Sequence, residues 1–167
     1  MSNFQVIDGT IGGGQAIDAN STTLNARLGQ RIQAKDMAST DYGIGEFIYL
    51  QGLNATAVGS VVTFDSETFQ TALAVGGAKG QVAFAMSACV TGEYGWYQIY
   101  GKCVGKVLAL FADNAVPYLT ATPGSLDDAV VAGDEVYAAR AVSATGTPST
   151  GLALISVSYP FVTDASN

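Results

Sequence analysis

The clearest pattern in the chain runs from Glu93 to Cys103. Read with period two, Trp96, Gln98, Tyr100 and Lys102 fall on one face and Tyr97, Ile99 and Cys103 on the other. Aromatic and β-branched residues punctuated by Gly95 and Gly101 predict a strand. Both faces are bulky, so neither reads as a solvent face, and the natural home for such a strand is the middle of a closed or two-layered sheet. Trp96, Tyr97, Ile99 and Tyr100 are therefore the candidates for core or interface positions.

Further strands are predicted around it. Residues 46–53 (Glu46 to Leu53) and 58–65 (Val58 to Asp65) are strong candidates, and residues 68–75 a weaker one ended by Gly76-Gly77. Residues 81–90 lead into the central stretch, and residues 104–111 continue it past Gly101. Pro117, Thr122-Pro123-Gly124-Ser125 and Asp127-Asp128 mark a passage of turns. Residues 135–142 and 152–159 are the last strands, the final one expected to stop at Pro160. Short strands separated by turn signals predict an all-β protein, a β-sandwich or a β-barrel-like domain.

Residues 1–45 differ from the rest. A glycine-rich opening, Gly9 to Gly14, is followed by a stretch low in bulk, and Arg27, Arg31 and Lys35 recur at spacing four. That spacing fits one face of a short helix, or the polar face of an extended segment. We read 1–45 as an extended N-terminal arm that gains order against a partner, and 46–167 as a β-rich binding domain. An ordinary first pair of strands is the alternative for the arm. Phe4, Val6, Ile7 and Ile11 are its candidates for contact with a partner surface or a neighbouring copy.

Composition narrows the function. At 167 residues the chain is long enough for one domain burying roughly 70% of its unfolded surface. A net charge of −7 with only seven basic residues, which form no run, argues against nucleic acid as a partner. Met1 to Gln5 lacks a basic region followed by an apolar run, and no stretch approaches the ~20 apolar residues of a membrane-spanning helix, so neither a secretory leader nor a membrane partner is expected.

The absence of histidine removes Ser-His-Asp and Cys-His catalysis, and two cysteines cannot complete a zinc site. A hairpin turning at Thr91 to Gly95 would set Cys89 opposite Tyr97 and Cys103 opposite Ala83, too far apart for a disulfide. Gly9 to Gly14 lacks the Gly-Lys-Ser/Thr ending of a phosphate loop. Asp127-Asp128 and Asp134-Glu135 could gather oxygen ligands but lack the alternation of a calcium loop, and read as turn carboxylates. No catalytic residue, metal or cofactor is expected.

Several segments resemble a known family. Gly95-Trp96-Tyr97-Gln98-Ile99-Tyr100-Gly101 resembles the Gly-Trp-Val-Gln-Val-x-Gly strand of the small decoration (cement) proteins of tailed-phage heads, with Tyr97 where that pattern has valine. Leu119-Thr120-Ala121-Thr122-Pro123-Gly124 before Asp127-Asp128 is similar too. So are Ala132-Gly133-Asp134-Glu135-Val136 and the closing apolar strand with Tyr159-Pro160-Phe161. The resemblance covers roughly the C-terminal 70 residues. It implies a β-rich, non-enzymatic protein, made in the host cytoplasm and located on the outer capsid surface of the virion. Its implied partners are the major capsid protein, whose hexamer joints it braces, and neighbouring copies of itself. A contact surface rich in Ala, Gly, Ser and Thr is expected to be broad and mostly uncharged, and insensitive to moderate salt. The competing expectations are a tail or fibre-associated β-domain and a carbohydrate-binding module or hydrolase.

Overall fold

The structure, a computed structural model, describes residues 4–7, 14–53 and 55–165. The protein is all-β, and no helix occurs among the described residues. In chain order the strands are β1 (Phe4–Val6), β2 (Asn20–Ser21), β3 (Arg31–Asp36), β4 (Ile44–Gln51), β5 (Val61–Phe64), β6 (Thr71–Leu73), β7 (Gly80–Ala85), β8 (Tyr94–Lys106), β9 (Tyr118–Leu119), β10 (Leu126–Asp127), β11 (Tyr137–Ala141) and β12 (Leu152–Val162). Ten of them form one antiparallel sheet with a main path β1-β3-β4-β8-β12-β7-β5-β6; β2 adds to β8 and β11 to β12, while β9 and β10 make a separate ribbon. The sheet curls until it meets itself: β7 pairs with β8, β8 with β12, and the end of β12 returns to β7.

β8 is the centre, as its two bulky faces require. One face supplies Trp96 to a cluster with Ile17, Ile32, Phe47 and Tyr49. The other supplies Tyr97 and Ile99 to a cluster with Ile48, Leu50, Val62 and Ala83. Farther along, Cys103 enters a third cluster with Phe84, Phe111, Leu119 and Ile155. The strand can change partners midway because it is bulged. Glu46 of β4 pairs with Tyr100 but the next residue, Phe47, pairs with Gln98, so Ile99 is the extra residue. Gly101 follows with φ +96, and a Cβ there would lie 2.5 Å from the Ile44 carbonyl oxygen, so a side chain is excluded sterically as well as conformationally.

Residues expected in the arm lie in the sheet. The alternation Arg31-Ile32-Gln33-Ala34-Lys35-Asp36 buries every second residue of β3, which pairs with β4 over Arg31↔Ile48 to Lys35↔Ile44. The spacing of Arg31 and Lys35 is thus that of one strand face, not of a helix, and the boundary drawn at 45/46 runs through β4. β1 adds outside β3, with Phe4 opposite Asp36 and Val6 opposite Ala34.

Two more expectations change. β12 runs through Pro160 to Val162, because Tyr159 takes φ 54 and absorbs the irregularity before the proline. The β7–β8 register sets Ala85, not Cys89, opposite Tyr97, and Cys103 lies opposite Ile155 of β12 rather than Ala83. Both thiols are free and buried.

Candidate functional site

Of the four central candidates, three are interior: Trp96, Tyr97 and Ile99 are buried, while Tyr100 is 44% exposed. Trp96 Nε1 donates to the Gln15 carbonyl at 3.1 Å, which ties the segment before β2 to the core. In the N-terminal segment, Phe4 and Val6 are half-buried against the Trp96 cluster, and Ile7 is exposed. Ile11 lies outside the described residues, as does most of the Gly9 to Gly14 run.

Tyr100 belongs to a surface feature that periodicity did not reveal. Its ring lies 5.6 Å from that of Tyr159, and Tyr137 stacks on Phe161 at 5.2 Å with 19° between the planes. Tyr159, Phe161 and Tyr137 are 48, 43 and 36% exposed, so four rings from β8, β11 and β12 form a ridge flanking Pro160. Tyr159 is held from several sides. Its hydroxyl donates to Glu46 Oε2 at 2.7 Å, the Arg31 guanidinium lies 6.0 Å from its ring centroid, and Arg31 Nη1 sits 4.0 Å from Glu46 Oε1. The hydrogen bond to the Glu46 carboxylate pushes the Tyr159 phenol above its ordinary pKa. A small depression of about 180 Å³ borders the ridge between Arg31, Phe64, Ile99, Tyr159 and Phe161.

The backbone under the ridge is irregular. The β11–β12 ladder passes from Ala139↔Val157 to Tyr137↔Phe161, skipping residues on both strands. Ala138 and Tyr159, both within the skipped part, have φ 58 and 54. Left-handed conformations in residues other than glycine cost about 1–2 kcal/mol each, and such strain often clusters at functional sites. The four rings were unreadable as a group from the sequence because Tyr100 and Tyr137 are 37 positions apart. The signal that was available is Tyr159-Pro160-Phe161, aromatics around a proline inside an apolar strand.

The other candidate chemistry resolves into structure. Asp128 Oδ2 accepts from the Ala112 amide at 3.0 Å and Asp134 Oδ1 from the Gly77 amide at 2.6 Å, so these carboxylates hold loops. Among the described residues no three His, Cys, Asp or Glu side chains converge as a metal site. A depression of about 630 Å³ is an open trough beside the β5–β6 turn, lined by Leu53, Phe64, Thr68, Gln70, Lys79 and Gln81. Its ammonium, Lys79, is paired with Asp164 at 3.3 Å. No helix among the described residues is long and apolar enough to cross a membrane. No family model matches the chain, and no curated protein and no solved structure shows significant similarity to it.

Proposed function

We propose that this is a structural protein of a tailed phage, which binds the outer surface of the assembled capsid and stabilises the head. One observation carries the reading. The two segments that most resemble decoration proteins, around Gly95–Gly101 and Leu152–Val162, are neighbours in the sheet, and together they display exposed rings. β12 pairs with β8 from Leu152↔Lys106 to Ser158↔Tyr100, and the ridge stands at the end of that ladder. Contiguous exposed aromatic surface, rimmed by an arginine and a carboxylate, suits recognition of another protein: Tyr and Arg are the residues that dominate interface energetics.

The mechanism needs no bond-making step. A ligand that binds the assembled shell, and not its free subunits, stabilises the shell by RT ln(1 + [L]/Kd), about 2.7 kcal/mol per site at a hundredfold excess over Kd. Summed over many sites, this raises the temperature at which the head fails. The test is to strip the protein from purified particles and compare their thermal rupture before and after adding it back. A higher rupture temperature at full occupancy is expected. An unchanged one removes bracing as the function, and labelling confined to the tail would favour the tail-associated alternative.

A further inference from the structure

The basic residues form no run in the sequence, yet the sheet gathers them. Residues directly opposite each other in an antiparallel pair share a face. From the strand registers, one face carries Gln33, Glu46, Tyr100 and Ser158 in a row. Because the strands are antiparallel, two residues on from that row lie Lys35 and Ile44 on β3 and β4 and, level with them, Lys102, Ser156 and Arg140 on β8, β12 and β11; beyond these come Val104 with Leu154 and Lys106 with Leu152. Arg31 lies on the same side of β3, since Ile32, Ala34 and Asp36 point the other way. Five of the seven Lys and Arg residues therefore stand on one face where, among the described strand residues, Glu46 is the single carboxylate, on a chain whose net charge is −7. None of these five cations is buried. Among the described residues, their one ion pair at 4.0 Å or closer is Arg31 with Glu46, while Lys79 pairs with Asp164.

We infer that this face, across β3, β4, β8, β12 and β11, docks against a carboxylate-rich protein surface. The charge complement is the first reason: a local excess of four positive charges leaves the rest of the molecule more acidic than the whole, so an acidic partner is attracted in only one orientation. The second is shape. Five strands and five rows, set four two-residue steps apart, give a patch roughly 20 Å by 27 Å, the footprint of one modest protein contact. Between the cations lie Ser156, Ser158, Val104, Leu154 and Ile44, short or apolar groups that permit close approach. A nucleic acid fits worse, because its charge continues every ~1.7 Å beyond the patch and would meet the acidic remainder of the molecule. The inference rests on the capsid reading for the identity of the partner, which would be an acidic area of the assembled shell. It also reverses the expectation of an uncharged, salt-insensitive contact.

The experiment compares the wild-type chain with Lys102→Glu/Arg140→Glu and with the milder Lys102→Gln/Arg140→Gln, each first shown to be folded by its β-type circular dichroism. Binding to stripped heads is measured at low and at moderate salt. Wild-type binding is expected to weaken as salt rises, and the charge reversal to weaken it at least about tenfold, with the neutral variant between. Heads that bind the reversal variant as tightly as wild type overturn the inference while leaving the capsid reading standing. If the wild-type chain does not bind heads at all, the capsid reading falls, and immobilised poly-L-glutamate decides the face by itself. Retention of the wild type but not the reversal variant supports it; no retention of the wild type overturns it. Tighter binding to duplex DNA than to poly-L-glutamate also overturns it, since the partner would then be a nucleic acid.

Discussion

Ala138 and Tyr159 hold left-handed backbone conformations within the irregular stretch of the β11–β12 ladder. For Ala138 the strain has no compensating side-chain contact beyond a methyl group. Replacing it with glycine removes about 1–2 kcal/mol of strain and gives back about 0.5–1 kcal/mol through the looser unfolded chain. Ala138→Gly is therefore expected to leave the urea midpoint unchanged or raise it, by up to about 1.5 kcal/mol in stability, with an unchanged denaturant slope. Gly101 is the opposite case. At φ +96 and with the Ile44 carbonyl oxygen 2.5 Å from any Cβ, Gly101→Ala combines strain with a backbone clash, and a loss of more than about 2 kcal/mol is expected in the same assay. Trp96 is fully buried, so the native tryptophan emission should be blue-shifted and should move to the red only on unfolding.

The N-terminal segment shows how an element is decided by its neighbours. Ile17 and Ile32 belong to the Trp96 cluster, and β3 is hydrogen-bonded along β4, so residues 14–36 contribute to the same core as the central strand. β1 is different: it adds only three residues to the outside of β3, and Phe4 and Val6 are half-buried. Removing residues 1–14 should leave the sheet folded, read as retained β-type circular dichroism and a cooperative melt. On the capsid reading the same truncation should lower occupancy of particles; full occupancy by the truncated chain would remove this segment from the contact. A deletion reaching through β3 should instead abolish the cooperative transition, because it strips one wall from the Trp96 cluster.

For the molecule as a whole, the buried ionisable groups set an alkaline limit. Burial pushes the Tyr97 phenol and the Cys103 thiol well above their ordinary values of 10.0 and 9.0. Both stay neutral in the folded state while the unfolded chain can ionise, so the stability they contribute is complete below about pH 9 and is lost as pH rises through 9 and then 10. At pH 10.5 the unfolding free energy is expected to be about 2–3 kcal/mol lower than at pH 8, from 1.36 kcal/mol per pH unit above each unfolded value. Urea midpoints at the two pH values check this, and Cys103→Ser, if it folds, should reduce the difference.

The sequence alone was enough to place the central strand. Gly95 to Cys103 has bulky residues at both parities, and only a strand covered on both sides can bury Trp96 and Tyr97 together. It was enough, too, for the all-β class; the two thiols are unpaired as expected, but the register from which that was argued is not the one the sheet adopts. Alternation in Arg31 to Asp36 was legible in principle, but the glycines before it and the recurrence of basic residues at spacing four masked it. A spacing of four is a multiple of both the strand and, nearly, the helix period, so it does not distinguish them. Tertiary structure decided the rest, because the sheet curls and bulges. The extra residue Ile99 brings Tyr100 onto the outward face, the distortion at Ala138 and Tyr159 carries β12 through Pro160, and strand pairing sets Arg31, Lys35, Lys102, Lys106 and Arg140 side by side. Register is a property of pairs of strands, and no single segment of the chain contains it.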